Sequence, residues 1–367
     1  MFELTNEQRI YFALSPVSDT WTKLEVTPGK YDMYYTFAYL DGNVIKKVIQ
    51  VFDEQPGHDL YREFCVEAEL SDDHKRILPK TEKGKQKPFS TANLEKCKRI
   101  GMELSYVRGS VSLSNLTNEV TYYHSVYEGQ VVRLLSEFSD WVSRWCDETT
   151  EADLKEIQAF AQQGKVHQKY REGDFFRFRI NRRLFGYGRI MVDYEQMRKQ
   201  EIPFWDIFMG KPLCVAVYHI ATENPSLTPD DLRGLKLLPS QMIMDNIFYY
   251  GECKIIGNAE ITPEEENYTI HYGTSISGLD GFSGLRYQSG KTYIAANDQE
   301  ALYNGFINNG ISFALEIKLP TLLACIEQDS NDPYWQNVSQ NSWNKDLRNP
   351  IYKEQLHQIR RQLGLES

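Results

Sequence analysis

Tyr31-Asp32-Met33-Tyr34-Tyr35-Thr36-Phe37-Ala38-Tyr39-Leu40, then Asp41-Gly42, then Asn43-Val44-Ile45-Lys46-Lys47-Val48-Ile49-Gln50-Val51-Phe52, is the stretch on which the reading of the fold turns. Two alternating runs rich in Tyr, Phe and Val flank a pair of residues that tolerate φ > 0, the signature of a tight β-hairpin. Working outward, strands are expected at Arg62–Leu70, Met102–Val107 and Val120–His124, so the first part of the chain reads as mostly sheet. From Glu128 to Trp145 the period changes. Val131, Leu134, Leu135, Phe138, Trp141, Val142 and Trp145 recur every three or four residues, which predicts an amphipathic helix with a buried two-tryptophan stripe. The acidic run Asp147–Asp153 leads into a helical pattern ending near Gly164, a residue suited to a helix C-cap.

Between the early strands lies a basic stretch, from Lys75-Arg76 through Lys80, Lys83, Lys85 and Lys87 to Lys96, Lys98 and Arg99. Gly and Pro interrupt it, so it reads as a loop, either binding an anion or partner or simply solvated. A second β-rich pattern opens at Glu172-Gly173-Asp174-Phe175-Phe176-Arg177-Phe178-Arg179-Ile180 and returns as Leu184-Phe185-Gly186-Tyr187-Gly188-Arg189-Ile190-Met191-Val192. Gly186 and Gly188 within the return strand would let the sheet coil strongly. Short strands are expected at Phe204–Met209 and Pro212–His219, and a Thr-capped turn with Pro at its first position at Thr228–Leu232. Lys254-Ile255-Ile256-Gly257-Asn258 follows, then a helix over Asp298–Asn308, a buried strand over Ile311–Lys318, a polar tail and a short helix over Tyr352–Leu363.

The expected fold class is α+β, with two domains, each a twisted, mainly antiparallel sheet with packed helices. Residues 1–148 would form a β-rich domain closed by the amphipathic helix. Residues 149–165 would be a helical linker, 166–325 the second domain, and 326–367 a polar tail. Composition agrees with a globular chain: 367 residues, 41% hydrophobic and 25% charged, enough to build cores without disulfides or metals. The six cysteines are widely spaced and read as reduced thiols. Neither a secretory leader nor a run of about 20 apolar residues is seen, so a cytoplasmic location without membrane insertion is expected. The formal charge of −10 argues against general nucleic-acid binding, which relies on neutralising phosphates, and suits a basic partner.

Gly173-Asp174-Phe175-Phe176, Gly186-Tyr187-Gly188 and Lys254-Ile255-Ile256-Gly257-Asn258, in that order, resemble the family called immunity protein 26 over roughly Arg171 to Glu266. Cys253 stands where the family pattern has tryptophan. The resemblance implies a small α+β domain of a bacterial polymorphic-toxin system that binds and neutralises a cognate toxin. Some members of the family carry a phosphotriesterase label.

The residues offer little for catalysis. The seven histidines (His58, His74, His124, His167, His219, His271, His357) lie far apart, without a His-x-His pair or an H-E-x-x-H run. Gly273–Gly278 misses the G-x-S-x-G spacing by one residue, and no P-loop occurs. No catalytic residue, metal ligand or cofactor is therefore predicted, and the chain is expected not to be an enzyme. Protein interfaces rest on aromatic or Arg anchors within a polar rim. Phe185, Tyr187, Trp205 and Tyr249 are the candidate anchors, with Asp206, Asp230, Asp231, Glu264 and Glu265 as the acidic rim. Two alternatives remain: a hydrolase with a site built from scattered residues, and a regulator that binds nucleic acid through the 75–99 segment.

Overall fold

The fold is seen in a computed structural model. It describes the chain apart from residues 1, 31–32, 53–58, 82, 126–131, 133, 201, 203–204, 206–209, 275–283, 297, 307–318, 340–344 and 366–367. The chain divides into two compact units, Met1–Val166 and His167–Ser367. Both are α+β, with antiparallel sheets and packed helices.

The Asp-Gly hairpin is the spine of the first unit. Strands β1 (Thr22–Glu25), β2 (Tyr35–Asp41), β3 (Val44–Phe52) and β4 (Leu60–Leu70) run antiparallel and in order. Short strands β5 (Arg76–Leu78) and β6 (Lys87–Pro88) branch from β4, and β7 (Lys98–Val107), β8 (Ser110–Asn115) and β9 (Val120–His124) complete the sheet. Gly42 sits in the turn at φ +60°, where a side chain would be strained.

The sheet is buried on both faces. One carries Tyr39, Ile49, Tyr61, Leu104 and Tyr106 against the N-terminal helix α1 (Asn6–Ile10) and its following segment. On the same side the stripe Leu135, Phe138, Trp141, Val142 and Trp145 of helix α3 (Leu135–Glu148) is buried, as its periodicity predicts. The other face holds Leu40, Ile45, Val48, Phe64 and Val66. It is closed by the basic stretch, which corrects the reading of that stretch as plain loop. Its apolar residues Ile77, Phe89 and Leu94 are buried while Leu78 is exposed, and it forms β5, β6 and helix α2 (Thr91–Leu94). Helix α4 (Glu151–Ala161) packs on the first unit through Ile157 and Phe160, and Asn115 Nδ2 donates to the carbonyls of Phe160 and Ala161.

In the second unit a five-stranded sheet has the order β13-β12-β11-β10-β14. Its strands are β10 (Asp174–Arg179), β11 (Phe185–Asp193), β12 (Pro212–Thr222), β13 (Gln241–Met244) and β14 (Lys254–Asn258), with helices α5 (Pro229–Leu232) and α6 (Asn246–Tyr249) between them. A three-stranded sheet follows: β15 (Ile270–Gly273), β16 (Leu285–Ser289) and β17 (Thr292–Ala296). Helices α7 (Leu319–Glu327), α8 (Asp332–Ser339) and α9 (Lys353–Gln362) complete the unit. The expected helix over Asp298–Asn308 is absent from its described part, residues 298–306, where Phe306 instead bridges to Lys345. The expected polar tail is structured: α8 falls within it, and Leu347 and Ile359 pack under the three-stranded sheet. Of the strand expected at Phe204–Met209 only Trp205 is described, and Ile311–Lys318 lies outside the described residues.

Two buried polar sites make these cores sensitive to substitution. Glu63, fully buried, accepts from Arg9 Nε at 2.8 Å and Tyr61 Oη at 2.6 Å, and pairs with Lys47 Nζ. Burial pushes the Lys47 ammonium below its ordinary pKa and Glu63 opposes that shift. Glu63→Ala would leave Lys47 buried without its acid and Arg9 with Glu3 alone, so it is expected to cost about 3 kcal/mol or more. Urea unfolding of the full chain, followed by tryptophan fluorescence, measures this loss.

On the three-stranded sheet, alternation puts Tyr272, Tyr287 and Ile294 against α9 and turns His271, Arg286 and Gln288 to the other face, all three nearly or fully buried. Burial holds His271 well below its ordinary pKa, at about 4, with Asp346 raising it and Arg348 lowering it. The unfolded chain thus binds a proton near pH 6.5 that the folded chain refuses until about pH 4. Stability is expected to be unaffected by His271 above pH 6.5 and to fall through that window, by about 3 kcal/mol in all. Denaturation midpoints at a series of pH values test this, since His271→Gln should flatten the slope.

Candidate functional site

Arg189 stands in the middle of β11, a strand buried along its whole length. A charge there must be met by partners. Its Nη1 donates to both carboxylate oxygens of Glu265, at 2.6 and 2.5 Å. Its Nη2 donates to the carbonyls of Gly173 at 3.1 Å and Ala259 at 2.5 Å, and the guanidinium lies over the Phe175 ring, 4.2 Å from its centroid. One side chain therefore joins the start of β10, the centre of β11, the residues after β14 and the turn Pro263–Glu265.

The other sequence cues surround this arginine. Gly173 has φ +81°, and a Cβ there would sit 2.4 Å from the Ala259 carbonyl oxygen, so only glycine fits. The Asp174 carboxylate accepts from Arg171 N and from Asn258 Nδ2, both at 2.8 Å, tying β10 to the end of β14. Gly186 and Gly188 pair across the sheet with Phe178 and Phe176, whose rings occupy the space a Cβ would take. Gly257 makes room in the same way for Pro229 of α5. Each cue is thus spent on packing.

The predicted anchors follow suit. Phe185 and Tyr187 lie in the core with Phe175, Tyr218 and Leu232, and Tyr187 Oη donates to Asn224 O at 2.6 Å. Trp205 is fully buried beside Tyr194, Met191 and Cys214. Their area is used inside the unit and presents no face outward. Tyr249 is exposed on α6, with His167 stacked on its ring at 4.4 Å. The neighbouring Phe248 packs on Phe176, on the sheet face opposite Arg189. Asp206 lies outside the described residues.

The acids of α5 and of the turn after β14 lie over the same sheet face. Helix α5 sits on the Arg189 face through Leu232 and Pro229, and the turn Pro263–Glu265 is held to that face by Arg189 itself. Asp230 is exposed with Arg233 Nε 3.5 Å from its carboxylate, Glu264 projects to solvent, and Glu265 is committed to the guanidinium. The Asp231 carboxylate caps α5, accepting from Thr228 N at 2.8 Å and Thr228 Oγ1 at 2.7 Å, and these bonds hold it below the usual carboxylate pKa. Glu264 is lowered as well, by its own amide and the Thr262 hydroxyl. Asp231 and Glu264 therefore stay ionised well below neutral pH.

β14 pairs only with β10 among the described strands, which makes it an edge. Gln168 covers part of that edge, accepting from Ile255 N at 3.2 Å and donating to Cys253 O at 2.8 Å, a common protection against unwanted pairing. Sequence reasoning missed both Arg189 and Gln168. Arg189 did carry a signal, since it is the single charge within Phe185–Val192.

Residues 171–280 match the model of the immunity protein 26 family. The matched span contains Arg189, every residue of its cradle and the acidic rim. No curated protein and no solved structure matches the chain. Among the described residues no group of three His, Cys, Asp or Glu could hold a metal ion, and no helix is long and apolar enough to cross a membrane.

The matched segment should depend on its arginine. Arg189→Met would strand the Glu265 carboxylate and leave the Gly173 and Ala259 carbonyls short of a donor, at an expected cost of about 3 kcal/mol. Arg189→Lys should recover only part, because an ammonium cannot match the guanidinium's planar fork. Thermal unfolding of the three proteins gives the order wild type, Lys, Met.

Proposed function

We propose that this chain is an immunity protein that binds a cognate bacterial toxin and neutralises it by protein–protein contact. The reading is carried by the match of residues 171–280 to immunity protein 26. The partner-facing surface is the acidic rim over the Arg189 face: Asp230 and Asp231 on α5, and Glu264 on the turn beyond β14. Charges of one sign on capped, hydrogen-bonded elements favour a partner whose contact surface is basic, speeding encounter and disfavouring acidic competitors. Tyr249, on the other face, is the exposed aromatic of the predicted set and is a second contact point.

On this reading the toxin, not a small molecule, is the ligand, and inhibition is steric. The test is protection. The chain is co-expressed with toxins encoded beside it, and survival is compared with that of the triple variant Asp230→Lys, Asp231→Lys, Glu264→Lys. Wild type is expected to rescue growth, and the variant to lose at least 10-fold in affinity, as measured by calorimetry, since like-charge juxtaposition costs several kcal/mol. Undiminished rescue and affinity in the variant would remove the rim from the interface. No rescue by any neighbouring toxin would remove the immunity reading itself.

A further inference from the structure

The basic stretch of the first unit is a built arm. β5 and β6 pair as a hairpin on the end of β4, with Arg76 opposite Pro88 and Ile77 opposite Lys87. Its root is fixed by the buried Ile77, Phe89 and Leu94 and by the bonds Ser71 N to Arg76 O (2.9 Å) and Phe89 N to Lys75 O (2.8 Å). Its tip is closed by Thr81, whose amide donates to Lys85 O at 2.9 Å, whose carbonyl accepts from Gly84 N at 2.7 Å, and whose Oγ1 accepts from Lys85 N at 3.0 Å.

This scaffold presents Lys75, Arg76, Lys80, Lys83 and Lys85 to solvent, with Lys87 half-buried. None of these six cations has a described carboxylate within 4.0 Å, whereas Lys98, just beyond the arm, is paired with Glu67 at 2.8 Å. The arm's one acid, Glu82, lies outside the described residues.

The side-chain chemistry distinguishes between partners. Protein interfaces are anchored by Tyr, Trp, Phe and Arg, and lysine is depleted in them. The arm is rich in lysine, and its aromatic residue, Phe89, is buried at the root. Lysines spaced along a pre-ordered hairpin suit a regular array of phosphates, which needs charge and reach but no apolar pocket.

We propose that the Arg76–Pro88 hairpin binds the phosphate backbone of nucleic acid without regard to sequence. The chain's net charge of −10 does not oppose this, because exposed charges act over a Debye length of roughly 8–10 Å and cations outnumber acids along the arm itself, with Asp72 and Asp73 at its base. The site belongs to the first unit and the acidic rim to the second, and the proposal owes nothing to the immunity reading.

The probe is a fluorescent duplex oligonucleotide of mixed sequence, titrated with the full chain at about 50 to 200 mM salt. Binding is expected to weaken steeply with salt and to be indifferent to base order. Lys80→Ser, Lys83→Ser, Lys85→Ser combined touches only exposed side chains and should leave thermal unfolding unchanged. It should weaken binding by roughly 10- to 100-fold at about 0.1 M salt and flatten the salt slope by roughly 2 to 3, about 0.9 for each lost phosphate contact. The corresponding triple Lys→Arg variant should bind as wild type does. Absence of binding at about 50 mM salt, or an unchanged slope in the serine variant, would overturn the proposal.

Discussion

The five-stranded sheet of the second unit is tied together by one buried guanidinium. Arg189 sits where solvent cannot reach it, so its donors dictate what surrounds them: two main-chain carbonyls from segments far apart in sequence, one carboxylate and one aromatic face. Main chain from β10 must approach main chain after β14, and only a glycine at 173 allows that approach. Asp174 and Asn258 then lock the same two segments from the side. A hydrophobic pair in this place would conserve stability as well or better, but it would not specify which strands meet. The guanidinium joins β11, the start of β10 and the segment after β14, and holds the turn that carries Glu264.

This explains why a family signature can be read in such scattered fragments. Gly-Asp, Gly-x-Gly and Ile-Ile-Gly-Asn are the positions where backbone or ring comes too close for a side chain, or where a short polar side chain stitches two strands. They record packing rather than chemistry. The elements this frame holds out, the capped α5 and the turn after β14, are where residues can change without disturbing the fold.

Legibility followed the same physics. The Asp41-Gly42 hairpin and the α3 stripe were readable because one residue type repeated at one period; burial follows that period in α3, whereas β3 is buried on both faces. The three-stranded sheet was not readable, because β15 and β16 bury His271, Arg286 and Gln288 on the face that alternation would assign to solvent. The basic stretch hid its structure behind lysines, since Ile77, Phe89 and Leu94 are too sparse to show a period. Among the site candidates, aromatic character was a poor guide. Phe185, Tyr187 and Trp205 are the bulk that fills the cores, whereas the acids at Asp230, Asp231 and Glu264 stand on helix and turn starts, where unpaired amides favour a carboxylate.

Charge is where the whole-chain number misleads most. A net charge of −10 describes the far field, yet binding is decided within about 10 Å of a surface. Within that distance the second unit offers carboxylates lowered by hydrogen bonds, fixed in direction by Thr228 and Thr262. The first unit offers lysines on a hairpin whose tip is closed by Thr81. In both cases a threonine orders the backbone from which the charges project, so that ordering entropy is spent on folding rather than on binding. Preorganised patches of opposite sign on one chain must each be judged by their own neighbours rather than by the sum.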